Sequence, residues 1–96
     1  MVDPLTQPDW NVMGRILEAL WRNQGPLRPT QLQVASSTNY TQFERYLEFM
    51  AGHGLLSTRD DAEGGTWVEL TVKGYEVHRL LVVRMRELLS GGTGRP

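Results

Sequence analysis

A gap of only three or four residues between two helical segments constrains this chain more than any other feature. Pro29 suits the first turn of a helix, because its missing N–H would be unpaired there, and this segment ends near Ser36. After the break at Ser37-Thr38-Asn39, apolar residues recur at helical spacing: Phe43, Tyr46, Leu47 and Met50. So short a gap folds the two helices into one tightly turned pair.

The neighbouring residues predict three helices, over about residues 10–23, 29–36 and 40–53. Asp9 and Asn39 are suitable N-cap residues, and Gln42 completes a capping box with Asn39. Gly25 and Gly54 follow the first and third helices, where glycine readily ends a helix. The apolar sides of the first two helices consist of Val12, Met13, Ile16, Leu17, Leu20 and Trp21, and of Leu32, Val34 and Ala35. The opposite face of the first helix carries Arg15, Glu18 and Arg22.

Two β-prone runs follow, at residues 55–59 and 66–70, with an acidic, glycine-rich turn between them. In the second run Trp67 and Glu69 alternate with Val68 and Leu70, as in a half-buried strand. The two runs therefore predict a β-hairpin, and Leu27-Arg28 is a possible further short strand. Thr71 is the expected N-cap of a last helix that runs to about Leu89.

The last helix has apolar residues on more than one side. Leu80-Leu81-Val82-Val83 alone cover about 300° of its surface, whereas a stripe of about 100° is enough to pack on one domain. The helix either lies deep in its own core or pairs with a second copy. We expect pairing, because a chain of 96 residues has little core left to cover it. The predicted dimer interface is Val77, Leu80, Leu81, Met85 and Leu88.

Composition excludes several classes of protein. The absence of cysteine removes disulfides, thiolate catalysis and Cys-based zinc sites. No stretch approaches the roughly 20 apolar residues of a membrane span, and the first residues lack a signal-peptide pattern, so we expect a cytoplasmic location. His53 and His78 lie far apart, residues 60–63 lack EF-hand spacing, and no nucleophile or phosphate-loop motif is present. We therefore expect no enzyme activity, no cofactor and no metal.

Three segments carry a family resemblance. Residues 39–47 (NYTQFERYL) resemble the recognition-helix segment of small archaeal winged helix-turn-helix DNA-binding proteins. Residues 53–56 (HGLL) resemble the segment that leads into the wing of these proteins, and residues 70–74 (LTVKG) resemble the "LTxKG" segment that follows the wing. These proteins dimerise through a C-terminal coiled coil, and MarR-like and PadR-like regulators are more distant relatives. The resemblance covers about residues 10–89. It implies an α+β, mainly α, fold and a homodimer that presents two recognition helices to successive DNA grooves.

The predicted DNA-binding residues lie on and around the third helix. Tyr40, Thr41, Gln42 and Arg45 are candidates for the recognition helix, since Gln can pair with adenine and Arg with guanine. Tyr40 and Gln42 are equally well explained as packing and capping residues. The candidate phosphate contacts are Arg28, Arg59 and Lys73, for which an ordinary solvated surface is the alternative.

Regional charge limits the kind of DNA binding that we expect. Residues 55–70 hold one arginine against four acidic residues, a net of −3, and the whole chain has a net charge of −1. A protein that coats DNA through charge alone is usually clearly basic, so we do not expect this role. A transcriptional regulator that binds double-stranded DNA as a homodimer remains, with a protein-protein interaction module as the alternative.

The predicted organisation has four parts: an extended arm over residues 1–8, a winged helix-turn-helix domain over 9–70, a dimerisation helix over 71–89 and a flexible tail over 90–96.

Overall fold

A computed structural model describes residues 8–91. Most of the predicted arm and the end of the predicted tail, residues 1–7 and 92–96, therefore lie outside the described residues. The elements in chain order are α1 (Trp10–Asn23), α2 (Pro29–Ala35), α3 (Tyr40–Gly52), β1 (Leu56–Asp60), β2 (Thr66–Leu70), α4 (Val72–His78) and α5 (Arg84–Arg86). Three helices, a hairpin and a further helical segment in this order form the α+β, mainly α, winged-helix plan predicted from the sequence.

The helix ends follow from local capping. Asp9 accepts a hydrogen bond from the Asn11 N–H at 2.8 Å, and Asn39 accepts one from the Gln42 N–H at 2.8 Å. Both residues thus satisfy a backbone donor that the helix itself leaves unpaired. At the other end of α1, the left-handed residue is Gln24 (φ 61°), one position before the expected Gly25. Gly54 takes a positive φ of 77° after α3, which explains why glycine stands there.

The core lies between α1, α2, α3 and the hairpin. Its buried apolar residues are Val12, Met13, Ile16, Leu17, Ala19, Leu20, Leu32, Phe43, Tyr46, Met50, Leu55, Leu56 and Val68. Of the apolar residues predicted for α2, only Leu32 is buried, and Val34 is 74% exposed. The helix is only seven residues long and turns a single side chain fully into the core, so its other apolar residues remain at the surface.

The wing is a two-stranded antiparallel hairpin whose register pairs Leu56 with Leu70 and Asp60 with Thr66. Leu27 adds a single bridge to Val68, with N–H···O distances of 2.9 and 2.8 Å in the two directions. The short strand considered at Leu27-Arg28 is therefore reduced to one ladder position. This bridge attaches the hairpin to the segment between α1 and α2.

The LTVKG segment joins the wing to the last helix through specific contacts. Thr71 caps α4 by accepting a hydrogen bond from the Gly74 N–H at 2.9 Å, and its hydroxyl donates to the Gly54 carbonyl oxygen. Gly74 is buried against the Leu55 carbonyl oxygen, where a Cβ atom would collide with the backbone. The glycine of this segment is thus required by a close approach of two backbones.

The last helix is continuous although its hydrogen-bonding pattern changes. Between α4 and α5 lies a π-helical segment, Arg79–Val83, and a second one, Glu87–Gly91, follows α5. The junction residues Arg79, Arg84 and Glu87 keep right-handed helical angles, so residues 72–91 form one C-terminal helix. No helix among the described residues is long and apolar enough to span a membrane.

Candidate nucleic-acid interface

The predicted recognition helix presents a mixed polar face at its N-terminal half. Phe43, Tyr46 and Met50 are buried, as the sequence predicts. Tyr40, Thr41 and Arg45 are exposed, and Gln42 is half-buried beside its cap partner Asn39. A helix that binds the major groove contacts base edges with the side chains of its N-terminal turns, and these four residues occupy those turns.

Arg45 differs from the other predicted DNA-binding cations. Within residues 8–91 its guanidinium has no hydrogen bond or ion pair, and its side chain is exposed. Arginine offers two parallel N–H donors that match the O6 and N7 acceptors of guanine. Arg45 can therefore bind a base edge without first giving up an internal contact.

Each predicted phosphate contact has a partner within the protein. Lys73 Nζ donates to the His53 carbonyl oxygen at 2.8 Å, at the end of α3. Arg59 Nε lies 3.8 Å from Glu69 on the neighbouring strand, and both side chains are well exposed. A long ion pair at an exposed position is worth about 0–1 kcal/mol, so phosphate can compete for Arg59 more easily than for the hydrogen-bonded Lys73.

Of the three predicted phosphate contacts, Arg28 has the strongest internal contacts, and these contacts brace the wing. Its Nη1 lies 2.8 Å from Asp61 Oδ2, and its guanidinium carbon lies 3.9 Å from the centre of the Trp67 ring. Asp61 in turn accepts hydrogen bonds from the N–H groups of Gly65 and Glu63, at 2.8 and 3.0 Å. The backbone hydrogen bond from Gly65 and the Arg28 guanidinium hold the pKa of Asp61 below its ordinary value, despite some desolvation. The sequence analysis did not predict this brace, because Arg28 lies more than 30 residues before both Asp61 and Trp67.

The wing tip is acidic, as the sequence predicts. Asp60 and Glu63 are exposed, and Asp60 accepts a hydrogen bond from the Thr66 hydroxyl at 3.1 Å. Among the residues that the structure describes, Asp61 is the only carboxylate of the tip that pairs with a cation, Arg28. Since DNA phosphates repel carboxylates, this tip cannot serve as a phosphate-binding element in the way that a basic wing does.

The C-terminal helix carries the exposed apolar residues that the sequence assigned to an interface. Leu80 is 60% exposed, Met85 49% and Leu88 66%, whereas Val77 and Leu81 are partly buried against the core. A groove of about 340 Å³ runs between α1 and this helix, and its apolar lining comprises Trp10, Gly14, Leu81, Val82, Met85 and Leu89.

Two polar residues, neither of which was predicted to join helices, connect α1 to the C-terminal helix. His78 is 4% exposed, and its Nε2 lies 2.8 Å from Glu18 Oε1. Its ring also stacks on Trp21, with ring centres 5.1 Å apart. Glu18 was expected on the outer face of α1, but its side chain is only 18% exposed, because it lies against His78 and Arg86 of the C-terminal helix. A cluster of three or more His, Asp or Glu side chains able to hold a metal is absent from the described part of the chain.

Comparison with solved structures identifies the fold. The chain is 26% identical to a MarR-family transcriptional regulator from Silicibacter pomeroyi over 79% of its own length, with a TM-score of 0.67. It spans only 54% of that regulator. Sso10a-2, a DNA-binding protein from Sulfolobus solfataricus, is 19% identical with a TM-score of 0.71, and the match covers 90% of this chain and 88% of the other.

A winged-helix DNA-binding protein from STIV gives a TM-score of 0.72 at 16% identity, covering 80% of this chain and 89% of the other. No protein-family model and no curated protein sequence matches the chain. The comparisons thus show a winged-helix fold, of the kind found in DNA-binding transcriptional regulators.

Proposed function

We propose that this protein is a homodimeric, sequence-selective DNA-binding protein that regulates transcription in the cytoplasm. In this proposal α3 is the recognition helix, and Tyr40, Thr41, Gln42 and Arg45 contact DNA from its first turns. The hairpin of β1 and β2 is the wing. The shared fold of DNA-binding regulators supports the proposal at the level of architecture, and the resemblance to archaeal proteins supports it at three sequence segments.

The observation that carries the proposal is Arg45. It is an exposed cation near the start of α3, without an internal partner in residues 8–91. An exposed ion pair would add only about 0–1 kcal/mol to folding stability, so Arg45 loses little by having no internal partner. It is available to bind a guanine edge, where a bidentate contact gives about 1–3 kcal/mol of discrimination.

Dimerisation through the C-terminal helix completes the proposal. Leu80, Met85 and Leu88 are exposed on the C-terminal helix, whereas the apolar side chains that form the core of the winged-helix domain are buried. A two-fold pair would cover these residues in both copies and would place two α3 helices on one side of the duplex. Half-sites about one helical turn apart, near 34–36 Å, are then expected. Arg28, Arg59 and Lys73 remain candidate phosphate contacts, and each would have to exchange its internal partner for a phosphate.

Replacing Arg45 by alanine tests the proposal. We expect specific binding to fall by about 1–3 kcal/mol in a fluorescence-anisotropy titration on a DNA site selected with the wild-type protein. Arg84→Ala is the matched control, because Arg84 is also exposed and unpaired within residues 8–91 but lies on the C-terminal helix. Affinity should decrease with rising salt along a shallow slope, since few cations are available. Equal affinities of Arg45→Ala and wild type would remove Arg45 from the interface.

The acidic wing favours a second candidate function, a winged-helix module that binds another protein. Asp60 and Glu63 are exposed at its tip, and the hairpin has the net charge of −3 that DNA would repel. The same titration separates the two candidates. A folded dimer that binds no DNA at low salt would favour the protein-binding role.

A further inference from the structure

One acidic residue of α3 has a geometry that its neighbours do not share. The Tyr40 hydroxyl donates a hydrogen bond to Glu44 Oε2 at 2.7 Å, one helical turn along α3, and both side chains are exposed. Within the described residues this is the only hydrogen bond that Glu44 makes, so Oε1 has a free lone-pair direction. Glu48 on the same helix has no such restraint in the described part of the chain.

The hydrogen bond from Tyr40 orients the Glu44 carboxylate. The hydrogen bond to Glu44, followed by the charge of that carboxylate, raises the pKa of the Tyr40 hydroxyl above its ordinary value of 10.0. The phenol therefore stays protonated near neutral pH and remains the donor. A side chain fixed in this way loses less conformational entropy when it binds a partner.

The major groove offers very few partners to an ionised carboxylate. Guanine presents only acceptors there, thymine presents an acceptor and a methyl group, and adenine presents an acceptor beside its amino donor. Cytosine presents an amino donor without an adjacent acceptor. A carboxylate only accepts hydrogen bonds, so cytosine is the single base edge that matches it.

We propose that Glu44 is a specificity-determining residue that selects cytosine through Oε1, and that Tyr40 is the residue that positions it. This inference rests on the DNA-binding function proposed above. Glu44 would repel most groove sequences, because its charge faces phosphates and base acceptors without compensation. It would thus lower the affinity for random DNA while raising the preference for one base pair, which is how a weakly charged protein can still be selective.

The test is selection from a randomised double-stranded oligonucleotide library, followed by titration of the enriched site and its single-base variants. Wild type should enrich cytosine at one position within each half-site. Glu44→Gln should change that preference to adenine, because glutamine pairs with both the amino group and the ring nitrogen of adenine. Glu44→Ala should reduce discrimination at this position by about 5- to 150-fold and should bind random DNA more tightly than wild type does.

Two further variants separate a specific role from a general effect of charge. Tyr40→Phe removes only the hydroxyl and no charge, so it should weaken the cytosine preference without removing it. Glu48→Gln makes the same charge change on the same helix, and it should leave the preference at the Glu44 position unchanged. If Tyr40 or Glu44 had only a structural role, replacing it would leave the base preference unchanged.

The failures of the inference and of the proposed function are distinguishable. Enrichment of a defined site by wild type, with the same base preferences in Glu44→Gln, overturns the role of Glu44 and leaves DNA binding intact. A wild-type protein that enriches no sequence overturns both. Circular dichroism of each variant confirms that the exposed substitutions leave the fold unchanged.

Discussion

The winged-helix body (residues 9–70) and the C-terminal helix (residues 72–91) differ in how far their apolar side chains are buried. The body encloses Phe43, Ile16 and Leu17, each of which is at most 2% exposed. In the C-terminal helix no residue from Arg79 to Arg86 is buried, although this described segment contains four consecutive apolar residues. The body thus completes a core with its own residues, whereas the helix keeps apolar surface that a second copy would cover. In the dimer proposed above, folding and assembly would therefore depend on separate parts of the chain.

Replacing Leu88 by glutamate should have the largest effect, and it acts on the helix alone. Leu88 is 66% exposed, so the change costs the isolated chain little. In a two-fold dimer it removes two buried leucines, each worth about 1.5–3 kcal/mol, and buries two unpaired charges. We expect monomers by analytical ultracentrifugation, with the helical circular dichroism signal of the body retained.

Val34→Glu is the matched control for Leu88→Glu, since Val34 is 74% exposed on the body. It should leave the oligomeric state unchanged. Leu81→Glu is a less informative variant, because Leu81 is packed partly against the core and its replacement would combine unfolding with dissociation. A dimer that survives Leu88→Glu would count against the C-terminal helix as the interface.

Phe43→Ala tests the other half of the comparison. Phe43 is 2% exposed in the middle of α3, and removal of a buried phenylalanine side chain costs about 3–5 kcal/mol. Urea unfolding should show this loss as a lower midpoint. The midpoint should vary with protein concentration no more in Phe43→Ala than it does in wild type. If Phe43→Ala instead shifted the monomer–dimer equilibrium without lowering the stability of the monomer, the separation of the two regions would be wrong.

The smallest expected effect concerns the contact that joins the two regions. Burial raises the pKa of Glu18, but hydrogen bonds and charges from His78 and Arg22 outweigh it and hold the pKa below its ordinary value of 4.5. A carboxylate with a lowered pKa stabilises the fold above its unfolded pKa, and this contribution disappears as the pH falls through the folded pKa. Glu18→Gln should therefore cost about 1 kcal/mol near neutral pH, where a charged acceptor is replaced by a neutral one.

The pH dependence of that difference is the sharper measurement. The free energies of unfolding of wild type and Glu18→Gln, from urea titrations, should converge as the pH decreases below 4.5. Arg79→Gln serves as the control, because its ion pair with Glu76 is exposed on both sides. A difference between wild type and Glu18→Gln that stays constant across this range would show that the carboxylate charge does not hold the helix against α1.

The sequence predicted most of the fold because the signals that define its elements are local. Asp9, Asn39 and Thr71 cap helices through backbone groups within three residues of themselves, and each was predicted as a cap. The hairpin and the inward face of α3 followed from residue alternation and helical periodicity. Val34 was the exception, because periodicity cannot tell how much of a short helix meets the core.

The candidate DNA-binding residues were less predictable, because their availability depends on partners that are distant in sequence. The exposure of Tyr40, Thr41 and Arg45 agrees with the prediction from the pattern of α3. The internal contacts of Arg28 and Lys73 were not predicted, since Asp61 and the His53 carbonyl oxygen reach them only after the wing has folded. The spacing of Tyr40 and Glu44, four residues apart on α3, does predict that their side chains are neighbours. This hydrogen bond could therefore have been predicted from the sequence.

The sequence by itself therefore determined the helices, the hairpin, their caps and the wide apolar surface of the last helix. These depend on interactions within a few residues along the chain. Only the tertiary structure decided which charges remain free and which polar groups are buried, since Glu18 and His78 meet across 60 positions. The short gap between α2 and α3 is a local signal that the sequence shows directly. The contacts between the winged-helix body and the C-terminal helix involve residues that meet only after both parts have folded.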